Sequence, residues 1–89
     1  MTTKNIEIQN PVGLHAKPAS YFVQKASLYE SSVWIETGDS RVNAKSLLGV
    51  LSLGISKGDL VTILADGADE AAAVDGLVAL ILGGLNEII

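Results

Sequence analysis

Apolar residues along this chain switch repeatedly between alternate-residue spacing and three- or four-residue spacing, and that switching restricts the fold more than any other feature. From Asn5 to Gln9, Ile6 and Ile8 alternate with polar neighbours, as in a strand with one buried face. From about Ala16 to Ser27 the pattern is helical, with Ala19, Phe22, Val23 and Ala26 on one side and Ser20, Gln24 and Ser27 between them. Alternation returns over Ser32 to Thr37, where Val33 and Ile35 share a face and Trp34 points to the other. Thr37-Gly38-Asp39-Ser40 then supplies a turn, and Arg41-Val42-Asn43 reads as the partner strand of a hairpin. Lys45 to Ile55 contains a short helix with Ser46 placed to cap it. Asp59 to Asp66 is the most apolar strand, with Val61, Ile63 and Ala65 on one side and Leu60, Thr62 and Leu64 on the other, which places it centrally. Gly67 ends that strand. Asp69 and Glu70 then supply a cap and a first-turn acid for a last helix, whose buried stripe is Val74, Leu77, Val78, Ile81 and Leu85 and whose final turn is loosened by Gly83 and Gly84. The order β-α-β-β-α-β-α predicts an α+β fold, an open-faced β-sandwich in which three helices cover one face of a four-stranded antiparallel sheet.

At 89 residues the chain is read as a single domain over 1–89, and with no cysteine it has no disulfide framework. The amino terminus lacks a signal-peptide pattern, and the late apolar run from Leu77 to Leu82 is too short to span a bilayer, so a cytoplasmic protein without membrane insertion is expected. A net charge of −4 argues against nucleic acid as a partner. No acidic residue occurs from Val12 to Ser27 or from Asn43 to Gly58, and these stretches hold Lys17, Lys25, Lys45 and Lys57. Side by side, they would form a positive face suited to acidic partners and to phosphate.

The single histidine, His15, follows a glycine-bearing turn and stands at the start of the first helix, which Pro18 marks because proline tolerates a first helical turn. A residue there lies beside unpaired amides, those of Ala16 and Lys17, which together with the helix dipole make an anion site. The imidazole is then a candidate phosphoryl acceptor, with Lys17 as an adjacent cation. On spacing alone a surface or hydrogen-bonded structural histidine is the commoner reading of such a residue. A metal site is not expected with one histidine and no cysteine.

Ser46 also has two readings. As a plain helix cap it contributes about 1 kcal/mol and needs no further role. As a phosphorylation site it would carry a dianion at a helix start and change the charge presented beside the neighbouring leucines. If Val50, Leu53 and Leu47 face inward, Leu48 and Leu51 face solvent and form the centre of a docking surface. The other reading buries this helix deeply.

Two segments resemble a known family. Gly13-Leu14-His15-Ala16-Lys17-Pro18-Ala19 is similar to the active-site signature of the histidine-containing phosphocarrier protein HPr of the phosphoenolpyruvate-dependent sugar phosphotransferase system, and Val42 to Leu53 is similar to its regulatory serine segment. The resemblance covers essentially the whole chain. It implies that His15 accepts a phosphoryl group at Nδ1 from the phosphorylated form of enzyme I and passes it to A domains of sugar permeases. It further implies that Ser46 is a substrate of an HPr kinase/phosphorylase, with recruitment of a catabolite-repression regulator, and that the contact surface is Ala16, Lys17, Ser20, Tyr21, Gln24, Leu47, Leu48 and Leu51. Such a protein is a monomeric carrier without cofactors, not a stand-alone enzyme. The alternatives are a regulatory paralogue switched at Ser46, and a carrier in a nitrogen-related or dihydroxyacetone kinase phosphotransfer chain. Lys17 departs from the arginine usual in the family, keeping the charge and losing the planar fork that grips two phosphate oxygens. Val12 replaces a small hydroxyl residue often found there.

Overall fold

In the computed structural model, which describes residues 1–83, the elements follow in the expected order: β1 (Thr2–Glu7), α1 (Ala16–Ala26), β2 (Ser32–Thr37), β3 (Ser40–Asn43), α2 (Leu47–Ser52), β4 (Leu60–Asp66) and α3 (Glu70–Leu82). The four strands form one antiparallel sheet in the order β1-β4-β2-β3, so the apolar β4 is internal as its composition requires. Strand β1 starts at Thr2, ahead of the alternating segment, because Thr2 to Asn5 pair with Ala65 to Thr62 although their side chains face largely outward. Beyond its assigned end the ladder continues: Ile8 donates its amide to the Asp59 carbonyl and accepts from Gly58, and its side chain is fully buried.

The helices cover one face. Ile6, Ile8, Val33, Ile35, Val61, Ile63 and Ala65 from the sheet meet Ala19, Phe22 and Ala26 of α1, Val50 of α2, and Ala73, Val74, Leu77 and Ile81 of α3 in a single core. The expected stripe of α3 therefore holds for Val74, Leu77 and Ile81, with Val78 half-buried; Gly84 and Leu85 lie outside the described residues. The open face is not bare. Leu64 is buried there, flanked in register by Thr3 and the half-buried Trp34.

Asp69 behaves differently from the sequence expectation. It is the residue before α3, but its side chain makes no capping bond. Its carboxylate reaches back 38 and 39 residues, accepting from the Ser31 and Glu30 amides at 3.0 and 2.9 Å and from the Ser31 hydroxyl, and so ties the start of β2 to the start of α3. Glu70 accepts from the Thr2 hydroxyl and from the Gly67 amide, joining β1 to the same corner. The Ser31 hydroxyl, then the Glu30 and Ser31 amides, lower the Asp69 pKa; the Thr2 hydroxyl and the Gly67 amide lower that of Glu70. Groups held below their unfolded pKa stabilise the fold above that value, and the contribution is lost as pH falls through the folded pKa. Thermal melts are therefore expected to show a falling Tm below about pH 4, and an Asp69→Asn, Glu70→Gln double variant to show a shallower fall over the same range.

Candidate functional site

Asn10-Pro11-Val12-Gly13 closes a turn in which the Gly13 amide donates to the Asn10 carbonyl at 3.1 Å. This is the residue pattern of a type I turn, with asparagine first, proline second and glycine fourth. Gly13 has φ +63, and a Cβ there would lie 2.3 Å from the Ile55 carbonyl oxygen and 2.8 Å from Ser56 Cα, so glycine is required by conformation and by space. Leu14 then buries its side chain completely and donates its amide to Ile55 O at 3.0 Å. The segment after α2 thus forms the seat on which the turn rests.

His15 follows directly. It is the cap residue of α1, with extended backbone (φ −115, ψ 154), an exposed side chain and no capping hydrogen bond from its ring. The amides of the first helical turn have no partner one turn back. Pro18 has none to offer and is buried, which leaves those of Ala16 and Lys17 unpaired in the turn that His15 opens. The first turn contains no acid, and the Lys17 side chain is exposed. Ala16 adopts φ +48, a left-handed conformation that costs a non-glycine residue about 1 kcal/mol and sharpens the entry into the helix.

Ser46 caps α2, as expected, its hydroxyl accepting from the Gly49 amide at 3.1 Å. Helices α1 and α2 pack against each other and run in opposite senses. The Lys45 ammonium, just before α2, bonds the Tyr29 carbonyl beyond the end of α1, whereas Ile55, just after α2, meets Gly13 ahead of α1. His15 and Ser46 consequently lie toward opposite ends of the helix pair. The lysines divide the same way. Lys25 sits 5.9 Å from the Tyr29 ring centre, near Lys45, while Lys17 and Lys57 belong to the histidine end, Lys57 following the Ser56 that packs on Gly13.

The leucines of α2 are arranged differently from the expected pattern. Val50 is buried, Leu53 is half-buried and Leu48 is 82% exposed, all as anticipated, but Leu51 packs partly into the core and Leu47 is exposed instead. In a six-residue helix with leucine near both ends the packing partner sets which side turns outward, and here the core takes Leu51. On α1, Tyr21 and Gln24 are exposed and Ser20 is half-buried, with the Gln24 amide 3.3 Å from the Ser20 hydroxyl. Sequence reasoning did not single out Asn10. It is fully buried and donates Nδ2 to the Gly13 carbonyl at 2.7 Å. The available signal was its first place in the Asn-Pro-x-Gly turn.

An exposed imidazole at the start of a helix whose first-turn amides are unpaired, in a domain of one sheet and three helices among the described residues, makes a small α+β domain with a candidate nucleophile on its surface. Comparison with known proteins makes the class specific. The family model described as PTS HPr component phosphorylation site matches residues 2–82, and the chain belongs to this HPr family of phosphocarriers. It is 45% identical to the phosphocarrier protein HPr of Neisseria meningitidis, over 98% of each chain. It is 42% identical to the HPr-like protein Crh of Bacillus subtilis, over 89% of this chain and 93% of that one. Among solved structures, an HPr of Thermoanaerobacter tengcongensis superposes with a TM-score of 0.91 at 49% identity, covering 92% of both chains.

Proposed function

We propose that this phosphocarrier bears its phosphoryl group on His15, accepting it from the phosphorylated form of enzyme I and donating it to A domains of sugar permeases. The observation that carries the reading is the exposed side chain of His15 at the opening of α1, the residue directly before the unpaired amides of Ala16 and Lys17. In the transfer the lone pair of Nδ1 attacks phosphorus in line, the bond from phosphorus to the donor breaks, and the reverse exchange delivers the group to the next protein. The helix start and the Lys17 ammonium stabilise the charge on the equatorial oxygens. Because the amides are already oriented, little reorganisation is required on transfer. The domain, residues 1–89, acts as a cytoplasmic monomer without cofactor, metal, nucleic-acid contact or membrane insertion, and its chemistry is completed only at transient interfaces.

The contact surface we assign is Ala16, Lys17, Ser20, Tyr21 and Gln24 of α1 with Leu47, Leu48 and Leu51 of α2. Exposed Tyr21, Leu47 and Leu48 supply the apolar centre, and lysines the rim that meets acidic partners. Incubation with phosphoenolpyruvate and enzyme I tests the carrier reading: an acid-labile phosphoryl adduct is expected, and its absence under conditions that label an authentic HPr would overturn the assignment.

Ser46 is the second modification site in this reading, phosphorylated by an HPr kinase/phosphorylase and then read by a catabolite-repression regulator. The hydroxyl already occupies a cap position where the local amides tolerate an anion. With ATP and the kinase, an acid-stable adduct is expected that Ser46→Ala abolishes; persistence of the label in the variant would place the site elsewhere.

A further inference from the structure

We propose that Asn10 is a positioning residue for phosphoryl transfer, holding the peptide that leads into His15; the inference rests on the carrier reading above. The peptide concerned joins Gly13 to Leu14. Its carbonyl accepts from Asn10 Nδ2 at 2.7 Å, and its amide donates to the Ile55 carbonyl at 3.0 Å. Both polar ends of one rigid plane are therefore fixed, from opposite sides, one residue before the histidine. Gly13 alone does not impose this. Glycine at φ +63 is the residue freest to rotate, and it is required there because no side chain fits against Ile55 and Ser56. The turn itself is closed by a backbone bond, Gly13 N to Asn10 O, which any residue at position 10 could accept.

The Asn10 side chain is thus not needed to close the turn, and its burial is costly. Its Oδ1 is buried with no hydrogen-bond partner among the described residues, an arrangement that opposes stability. An apolar side chain would occupy the space without an orphaned oxygen. What the amide adds is the donor that holds the Gly13 carbonyl, and the geometry so held continues through Leu14 into the extended His15 and the left-handed Ala16. Asn10 touches neither the phosphoryl group nor a partner. It acts by keeping the ring and the Ala16 and Lys17 amides in register, where a displacement of about 1 Å is enough to slow a transfer about 100-fold.

The test uses the full chain in an enzyme I-coupled assay, with folding followed by circular dichroism at each condition. Asn10→Ala removes the donor, and turnover at the wild-type plateau is expected to fall about 10- to 100-fold while KM for the protein as substrate is retained, since the buried side chain is not at the interface. Asn10→Asp supplies a donor only when protonated, and burial raises the pKa of such a carboxyl. Its rate relative to wild type should fall as pH rises from roughly 5 to 8, with the variant folded throughout. His15, Lys17, Lys57 and Asp59, the titratable residues flanking the turn and its Ile55–Ser56 contact, are common to both proteins and cancel in that ratio. Wild-type turnover in folded Asn10→Ala, or a pH-independent ratio for Asn10→Asp, overturns the proposal. Absence of label on the wild-type chain instead overturns the carrier reading on which it rests, so the two failures are distinguishable.

Discussion

His15→Ala is expected to take up no acid-labile phosphoryl group from phosphoenolpyruvate and enzyme I, under conditions in which the wild-type chain is labelled to near one group per molecule. The chain has one histidine, so no second imidazole can accept the group. The ring is exposed and makes no capping bond, so its loss removes no packing and no cap, and the melting temperature is expected to change little. That combination separates a lost nucleophile from a lost fold. Mass measurement before and after mild acid, together with a thermal melt, checks both halves. An adduct of wild-type yield in the alanine variant would place the acceptor on another side chain.

Gly13→Ala is expected to be the most damaging single-methyl addition near the site, lowering stability by about 2–4 kcal/mol and transfer along with it. Two causes act together. An alanine at φ +63 is strained by about 1 kcal/mol. In addition, its Cβ would stand 2.3 Å from the Ile55 carbonyl oxygen, which can retreat only by giving up the bond from Leu14 N. Gly54 supplies the control: its φ is +59, yet a Cβ there meets nothing within 4 Å, so Gly54→Ala should show the strain without the collision. Chemical denaturation of both variants separates these contributions. Equal losses would mean that the contact with Ile55 yields easily and that the turn is less firmly seated than its geometry indicates.

Much of this molecule was legible from spacing. Strand β2 was read with its observed bounds and β4 within a residue, because alternation under one buried face leaves little freedom, and the greater apolarity of β4 set it inside the sheet. The start of β1 was missed because Thr2 to Asn5 join the sheet by backbone pairing with mostly outward side chains, which leaves no periodic signal. Asp69 was read as a cap on local grounds, whereas its partners lie 38 and 39 residues away, a distance no local pattern encodes. In α2, almost every position is apolar, so the pattern could not choose between Leu47 and Leu51 as the outward residue; packing against the core decided it. At the candidate site, His15 and the helix start were visible through Pro18, but Asn10 was not, since a buried amide and a solvated turn asparagine look alike until the chain is folded.

The seating of the histidine turn has a mechanical corollary. Ile55 O receives the Leu14 amide, and Ile55 is tethered through two residues to the end of α2. One oxygen atom is therefore the hinge pin between the helix that exposes Leu47 and Leu48 and the loop that leads into His15. Under the proposed function, a visitor that levers α2 far enough to drag this pin also tilts the ring of His15, so grip and chemistry in so small a carrier are not independently adjustable.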